Sequence, residues 1–270
     1  MFLFRDLSHH SAQHSLPTWE GVREERGREI QEERETMKPV GSCSSPDQNE
    51  LRLMVVGPRR TGKSSSGNTI LGAGAFETWG GAASAVRRGV APGGRRVAVV
   101  DVFGWGDPEE PVPKREKLEL MRALSLCDPG PHAVLLVVPL LQFTEPERGA
   151  IERRLALLTE GVWRHTMVLF TFGDRLRGDT MEQHLQKEGQ ALSWLTTRCR
   201  NRYHVLNNKA SDDQAQVTEL LEKIEDMVAE NGQWHFSLHM YQRLEEAWRR
   251  REENLRRSLN WSNKNRSLPH

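Results

Sequence analysis

The residues best suited to do chemistry lie between Gly57 and Gly72, in the stretch GPRRTGKSSSGNTILG. They contain the pattern G-x-x-x-x-G-K-[ST], which ends here in Gly62, Lys63 and Ser64. The glycines let a loop wrap closely around a phosphate, so that its N–H groups and the positive end of the next helix face the oxygens. Lys63 can neutralise the β- and γ-phosphates, and the Ser64 hydroxyl can bind Mg²⁺. An apolar strand before the loop and a helical pattern after it favour phosphate binding over a structural glycine-rich turn.

Carboxylate and amide side chains follow three other apolar stretches. Asp101 ends one of them and begins D-V-F-G, which has the form D-x-x-G. A carboxylate at this place can hold the Mg²⁺ shell through water, and the Gly104 N–H can reach a γ-phosphate. Asp174 follows a second apolar stretch, and Asn207 follows a third. Because ligands of parallel α/β sheets bind at the carboxyl ends of the strands, these side chains and the glycine-rich loop are expected to share one edge.

Asp174 bears on which base would be bound. Guanine presents two donors, N1–H and the N2 amino group, and one carboxylate can accept both. Adenine presents an unprotonated N1 acceptor at that edge, which a carboxylate repels. Asp174 therefore favours GTP, although the Asn-Lys pair that usually precedes such an aspartate is absent. A turn residue after Gly173 remains the alternative interpretation.

The pattern of apolar runs predicts an α/β fold: a P-loop NTPase with a mostly parallel central sheet flanked by helices, and a C-terminal helical extension. Thr144 and Glu147 predict the start of a long helix, as N-cap and capping-box residue. The predicted strands are 51–56, 86–90, 96–101, 132–141, 166–170 and 203–206, with the second and third joined by a turn at 92–94. One predicted helix follows the glycine-rich loop, a second covers 117–127, and a third begins after Thr144. Two more lie at roughly 180–200, and the last two cover 212–230 and 234–258.

Length and charge limit the function classes. A chain of 270 residues fits one large α/β domain with extensions. A net charge of +1 argues against nucleic-acid binding through a broad positive field. The cysteines Cys43, Cys127 and Cys199 show no metal-binding spacing, which fits a reducing cytosolic compartment. Neither a signal peptide nor a transmembrane segment is expected.

The two ends of the chain differ from the middle. Residues 1–47 are predicted to be a disordered or charged helical leader, because Glu20–Lys38 is almost entirely charged and has no apolar stripe. Residues 48–250 form the predicted nucleotide-binding domain, and 259–270 a tail. Residues 234–258 predict an amphipathic helix at the domain's end, with apolar residues from Leu238 to Leu255. Packing on the domain is favoured over a partner helix or a basic membrane-surface helix.

Five segments together resemble the immunity-associated nucleotide-binding GTPases, the GIMAP proteins with an AIG-type G domain. They are GPRRTGKSSSGNTILG, the D-x-x-G at Asp101, GPHAVLLVVPLLQFTEPER, LFTFGDRLRG and RYHVLNNKASD. The third of these, Gly130–Arg148, is a hallmark of that family and not of small signalling GTPases. The resemblance covers roughly residues 48–250.

The resemblance implies a cytoplasmic-facing domain that binds GTP or GDP with Mg²⁺, associates with itself through the G domain, and in many members makes peripheral contact with internal membranes. With the residue-based predictions, it gives three sets of site residues. The phosphate set is Gly57, Pro58, Arg59, Arg60, Thr61, Gly62, Lys63, Ser64, Ser65, Thr78 and Gly104. The base set is Thr171, Phe172, Gly173, Asp174, Asn207 and Asn208, and the metal set is Ser64 and Asp101.

Several departures from the family pattern concern hydrolysis. D-T-P-G has become D-V-F-G, and Val86-Arg87-Arg88 offers no switch threonine. Arg60 takes a position often held by glycine, and Trp105 cannot position water as a glutamine would. Tight binding and slow turnover are predicted, with acceleration dependent on self-association.

Either P-loop arginine, Arg59 or Arg60, could stabilise charge in cis, but solvated side chains are favoured for both. Two other functions remain open. One is an ATP-using hydrolase or kinase, and the other is a pseudo-GTPase interaction module.

Overall fold

The computed structural model describes residues 50–79, 81 and 83–266, with side chains as far as residue 257. The predicted leader, residues 1–47, lies outside the described residues, as do residues 267–270 of the predicted tail. The strands are β1 (Leu51–Val56), β2 (Ala85–Val90), β3 (Arg96–Asp101), β4 (Ala133–Pro139), β5 (Thr166–Thr171) and β6 (Tyr203–Leu206). The helices are α1 (Lys63–Leu71), α2 (Lys114–Leu126), α3 (Glu145–Leu155), α4 (Met181–Lys187), α5 (Gln190–Arg198), α6 (Gln214–Glu230) and α7 (Leu238–Arg266).

One six-stranded sheet organises the domain, in the order β2-β3-β1-β4-β5-β6. All neighbours are parallel except β2 and β3, which form the antiparallel pair that the Pro92–Gly94 turn predicted. The α/β class and the mostly parallel sheet are confirmed. The carboxyl ends of β1, β3, β4, β5 and β6 consequently meet at one edge, which is where the candidate site residues follow their strands.

The sheet is buried on both faces, which is why its central strands are almost wholly apolar. Along β1, Leu53 and Val55 face one core, which includes residues of α1 and α6. Met54 and Val56 face the other, which includes residues of α2, α3 and α5. This alternation follows from the two-residue period of a strand, and it fixes the position of β1 between the two helical layers.

The start of α3 is the capping box that the sequence predicted. Glu147 accepts hydrogen bonds from the backbone N–H of Thr144 at 2.7 Å and from its hydroxyl at 2.8 Å. Ile151 and Leu155 are buried as expected. The helix ends at Leu155, however, and Leu158 reaches the same core from the 3₁₀ turn Ala156–Leu158.

The predicted helix 234–258 was wrong in its bounds, because α7 begins at Leu238 and continues to Arg266. A tertiary contact holds the preceding residues outside the helix: the Phe236 N–H donates to the Pro131 carbonyl at 2.7 Å, and its ring is buried. Gly130 makes this contact fit, because a Cβ there would lie 2.0 Å from the Phe236 carbonyl oxygen.

In the part of α7 whose side chains are described, up to residue 257, the first turns pack on the domain and the later turns are exposed. The Tyr241 ring lies against Gly161, and its hydroxyl is 2.9 Å from Nε2 of His165. Farther along, Trp248 is 68% exposed and Leu255 is 59% exposed. The prediction that this helix packs on the domain is therefore confirmed for Leu238 and Tyr241 and is wrong for Trp248 and Leu255. Among the described helices, none has the length and apolar character needed to cross a bilayer.

Gly161→Ala tests whether close packing holds α7 on the domain. A Cβ at Gly161 would lie 2.1 Å from Cδ1 of Tyr241, so the ring must move. We expect the free energy of unfolding to fall by about 1–3 kcal/mol, measured by urea denaturation. Gly189→Ala is the matched control, because a Cβ there meets nothing within 4 Å. Equal stability of the two variants would contradict this account.

Candidate functional site: a phosphate-binding loop and its neighbours

The loop between β1 and α1 depends on two glycines with positive φ. Gly57 has φ 151° and Gly62 has φ 93°, conformations that side chains rarely adopt. A Cβ at Gly57 would also lie 2.7 Å from the Val137 carbonyl oxygen of β4. The G-x-x-x-x-G spacing thus lets the loop turn tightly over the sheet and lead directly into α1.

Lys63 is buried, and its ammonium group curls back onto the loop. Nζ donates to the Pro58 carbonyl at 2.7 Å. Burial lowers the pKa of Lys63 from 10.5 to about 8; Asp101 opposes this shift and Arg59 adds to it. Asp101 is the negative group that opposes the lowering of the Lys63 pKa. A phosphate beside the ammonium would add further negative charge and favour its charged form.

Ser64 and Asp101 form the candidate metal pair. The Ser64 hydroxyl donates to Oδ2 of Asp101 at 2.5 Å. The other carboxylate oxygen, Oδ1, is buried and has no hydrogen-bond partner among the described residues. Burial raises the pKa of Asp101, while the Ser64 hydrogen bond and Lys63 act in the opposite direction. An unpartnered carboxylate oxygen beside a hydroxyl is a donor set that fits Mg²⁺, which takes few protein oxygens and completes its shell with water and phosphate.

These groups open onto a cavity of about 400 Å³. Of the predicted phosphate and metal residues, the cavity is lined by Arg59, Arg60, Lys63, Ser64, Thr78, Asp101 and Gly104. Its wall also includes Glu77, Trp79, Gly81, Ala83, Val102, Phe103 and Arg115. The structure therefore brings side chains from the P-loop, the 73–84 loop and the D-x-x-G loop around one space.

Two predicted base-set residues instead hold the P-loop in place. The Thr171 hydroxyl is buried and donates to the Thr61 carbonyl at 2.6 Å. The Asn208 amide donates to the Ser66 hydroxyl at 3.2 Å and accepts from the Thr69 hydroxyl at 2.9 Å. Both side chains are thus bound within the protein, which differs from the expected contact with a base.

The other base-set residues lie together at the ends of β5 and β6. Asp174 is exposed, and the Lys209 ammonium donates to its Oδ2 at 2.6 Å, which lowers the pKa of that carboxyl. Asn207 accepts a hydrogen bond from the Lys209 N–H at 3.1 Å. Gly173 fits against Asn207, because a Cβ on this glycine would lie 3.4 Å from the asparagine Cβ. Phe172 precedes Gly173 with φ 61°.

Lys209 is a site residue that sequence reasoning missed. The signal was its place directly after Asn207-Asn208, within the motif itself. Its ammonium donates to the Asp174 carboxylate, which is the group predicted to accept from the two donors of guanine.

The D-x-x-G loop is tied to the P-loop through Arg59. Its Nε donates to the Gly104 carbonyl at 3.0 Å, and its guanidinium carbon lies 4.8 Å from the centre of the Phe103 ring. The guanidinium carbon of Arg115 lies 4.4 Å from the same ring centre. Arg59 is exposed to solvent, as expected, but its side chain is also held at these two points.

Ser84 and Trp105 have structural positions near this loop. The Ser84 hydroxyl accepts from the Phe103 N–H at 3.0 Å, and its backbone N–H donates to Glu119 at 2.7 Å. The Trp105 ring is buried, with the guanidinium carbon of Arg154 5.4 Å from its centre. A buried indole offers no group that could orient a water molecule in the cavity.

Comparisons with known proteins agree with this geometry. The AIG1 family model matches residues 51–255. Human GTPase IMAP family member 8 is 32% identical over 206 residues, covering 74% of this chain and 30% of the relative. Immune-associated nucleotide-binding protein 9 of Arabidopsis thaliana is 32% identical over 216 residues, covering 76% of this chain and 62% of the relative. The chain thus spans less than two thirds of either relative's length.

A solved structure supports the fold independently. Toc33 from Arabidopsis thaliana, crystallised with GDP and Mg²⁺, superposes with a TM-score of 0.56 at 16% identity, covering 81% of this chain and 94% of Toc33. At that identity the likeness concerns the fold alone. The family match extends over most of the chain and includes every residue of the candidate site. The chain therefore belongs to the AIG1 family, which includes the GTPase IMAP proteins to which it is similar.

Proposed function

We propose that this chain binds GTP and GDP with Mg²⁺ and acts as a nucleotide-dependent switch or assembly scaffold with slow hydrolysis. The observation that carries the proposal is the buried Oδ1 of Asp101, which has no hydrogen-bond partner among the described residues and lies beside the Ser64 hydroxyl, on the cavity that Lys63 lines. When bound, Mg²⁺ would neutralise phosphate charge. Ser64 and Asp101 would hold the ion and its waters, and Lys63 would exchange the Pro58 carbonyl for phosphate oxygens.

Selection of guanine rests on Asp174. Its carboxylate is exposed and binds the Lys209 ammonium, which supports a solvent-accessible negative charge at the ends of β5 and β6. On binding, the base's N1–H and N2 amino group would take the place of the Lys209 ammonium. Adenine has no such pair of donors, which is why an ATP-using hydrolase or kinase is the weaker candidate.

Slow hydrolysis follows from what the switch segments lack. Trp105 is buried where a water-positioning side chain would be needed, and β2 carries Val86, Arg87 and Arg88 in place of a switch threonine. These changes leave the phosphate and metal groups intact. The same observations favour a second candidate, a pseudo-GTPase module that binds nucleotide without hydrolysing it.

Assembly would involve the rim of the cavity. Trp79 lines the cavity and is 88% exposed, an arrangement that favours burial against another protein surface. Toc33 has been crystallised as a dimerization-deficient mutant, so dimerization is a property of that protein. For this chain we propose self-association through the G domain and a cytoplasmic location.

Trp248 and Leu255 of α7 are exposed apolar groups suited to peripheral membrane contact.

Lys63→Ala tests the phosphate-binding loop. We expect affinity for both GTP and GDP to fall by about 100-fold, because both carry the β-phosphate whose charge-assisted contact with Lys63 is lost. The fold should persist, since a buried ammonium with a lowered pKa is removed. Titration with fluorescent GTP and GDP measures the effect, and Lys223→Ala, an exposed lysine paired with Glu219, is the control. Normal GTP binding by Lys63→Ala would remove the loop from the account.

Asp174→Asn tests base selection. Asparagine offers one donor and one acceptor, which match the C2 carbonyl and N1–H of xanthine and not the two donors of guanine. We expect GTP affinity to fall by at least about tenfold and XTP affinity to rise, measured by competition binding. Asp179→Asn removes another aspartate paired with a lysine, and its GTP preference should be unchanged. If Asp174→Asn kept the wild-type preference, Asp174 would not read the base.

Single-turnover GTP hydrolysis tests the catalytic prediction. We expect a rate far below the order of 10 s⁻¹ reached by GAP-stimulated GTPases, because the residue that follows D-x-x-G is the buried Trp105 and not a water-positioning glutamine. The rate should rise with protein concentration if self-association accelerates it. A monomer with a rate near that of stimulated enzymes would contradict the prediction.

A further inference from the structure

Arg59 lines the cavity and is held there through both its backbone and its side chain. Its backbone N–H donates to the Trp105 carbonyl at 2.9 Å, and Pro58 pairs with Trp105 in a parallel bridge. Its side chain is fixed by the Gly104 carbonyl and the Phe103 ring. The guanidinium is therefore already oriented before any ligand binds, so less rotamer freedom would be lost when it binds an anion.

Arg59 and Lys63 converge on Gly104. A Cβ on Gly104 would lie 2.6 Å from Nζ of Lys63 and 3.0 Å from both Cα and Cγ of Arg59. Gly104 is the glycine of D-x-x-G, whose N–H is expected to reach the γ-phosphate. The Lys63 ammonium and the base of the Arg59 side chain thus both lie against Gly104, and the Arg59 Nε donates to the carbonyl of the same residue.

The charges around the cavity are unbalanced. The basic side chains that line it are Arg59, Arg60, Lys63 and Arg115. The acidic ones are Asp101 and the exposed Glu77. Within the part of the chain that the structure describes, no carboxylate pairs with Arg59, and its two Nη groups make no hydrogen bond. Because Nε alone is engaged, a planar fork of donors remains to face an anion.

We propose that Arg59 binds the γ-phosphate of GTP through its Nη groups and makes this site prefer GTP to GDP. The inference rests on the proposed function and adds a specificity residue to it. Phe103, which breaks the family's D-T-P-G pattern, supplies the aromatic platform that holds the guanidinium in place. Arg59 thereby connects the third phosphate with the D-x-x-G loop.

The test compares the affinities of the full chain for GDP and for a non-hydrolysable GTP analogue, with Mg²⁺, by calorimetric titration. In Arg59→Ala, affinity for the analogue should fall by about tenfold or more, while affinity for GDP changes by less than about threefold. Retained GDP affinity shows that the variant is folded. Arg59→Lys should give an intermediate loss, because the charge remains and the fork is removed.

Arg87→Ala is the matched control. Its Nε also donates to a backbone carbonyl, that of Ala75 at 3.1 Å, and its guanidinium carbon lies 5.8 Å from the centre of the Phe76 ring, but it does not line the cavity. In Arg87→Ala, the ratio of the affinity for the GTP analogue to the affinity for GDP should match the wild-type ratio. An unchanged ratio in Arg59→Ala, or an equal change in Arg87→Ala, would overturn the inference and leave the proposed function standing. Wild-type protein that bound neither nucleotide would overturn both.

Discussion

The hydrogen bond between the Ser64 hydroxyl and the Asp101 carboxylate joins the two parts of the site on which the function depends. Ser64 follows β1 and Asp101 ends β3, and these strands are parallel neighbours, so their carboxyl ends meet. Burial raises the pKa of Asp101 and leaves its Oδ1 without a partner. A buried acceptor in that state costs free energy, and a bound cation would remove the cost. The geometry of the sheet thus places an acceptor that could bind a metal ion beside the proposed phosphate site.

The position of the P-loop depends on its glycines and also on contacts from the β5–β6 end of the sheet. Thr171 and Asn208, at the ends of β5 and β6, bind the Thr61 carbonyl and the hydroxyls of Ser66 and Thr69. These ties couple the loops after β5 and β6 to the phosphate loop and the first turns of α1. Under the proposed function, a base that displaced Lys209 from Asp174 would act on these same loops.

Much of the fold could be predicted because its signals are local. Apolar runs gave the strands, and Thr144 and Glu147 gave the start of α3. The bond between Thr171 and Thr61 could not be predicted, since it joins residues 110 positions apart and depends on the packed sheet. The start of α7 was mispredicted for a similar reason, because Phe236 is held by the Pro131 carbonyl and not by helix propensity. The sequence pattern marked Phe103 as a defect, and only the structure relates its ring to Arg59 and Arg115.

The central claim is that the cavity between the P-loop and the D-x-x-G loop binds a guanine nucleotide together with Mg²⁺. Titration of the wild-type chain with GTP and with ATP, each in Mg²⁺ and in EDTA, tests it most directly. The account predicts saturable GTP binding that weakens when Mg²⁺ is removed, and much weaker binding of ATP. A preference for ATP, or GTP binding that is indifferent to Mg²⁺, would contradict it.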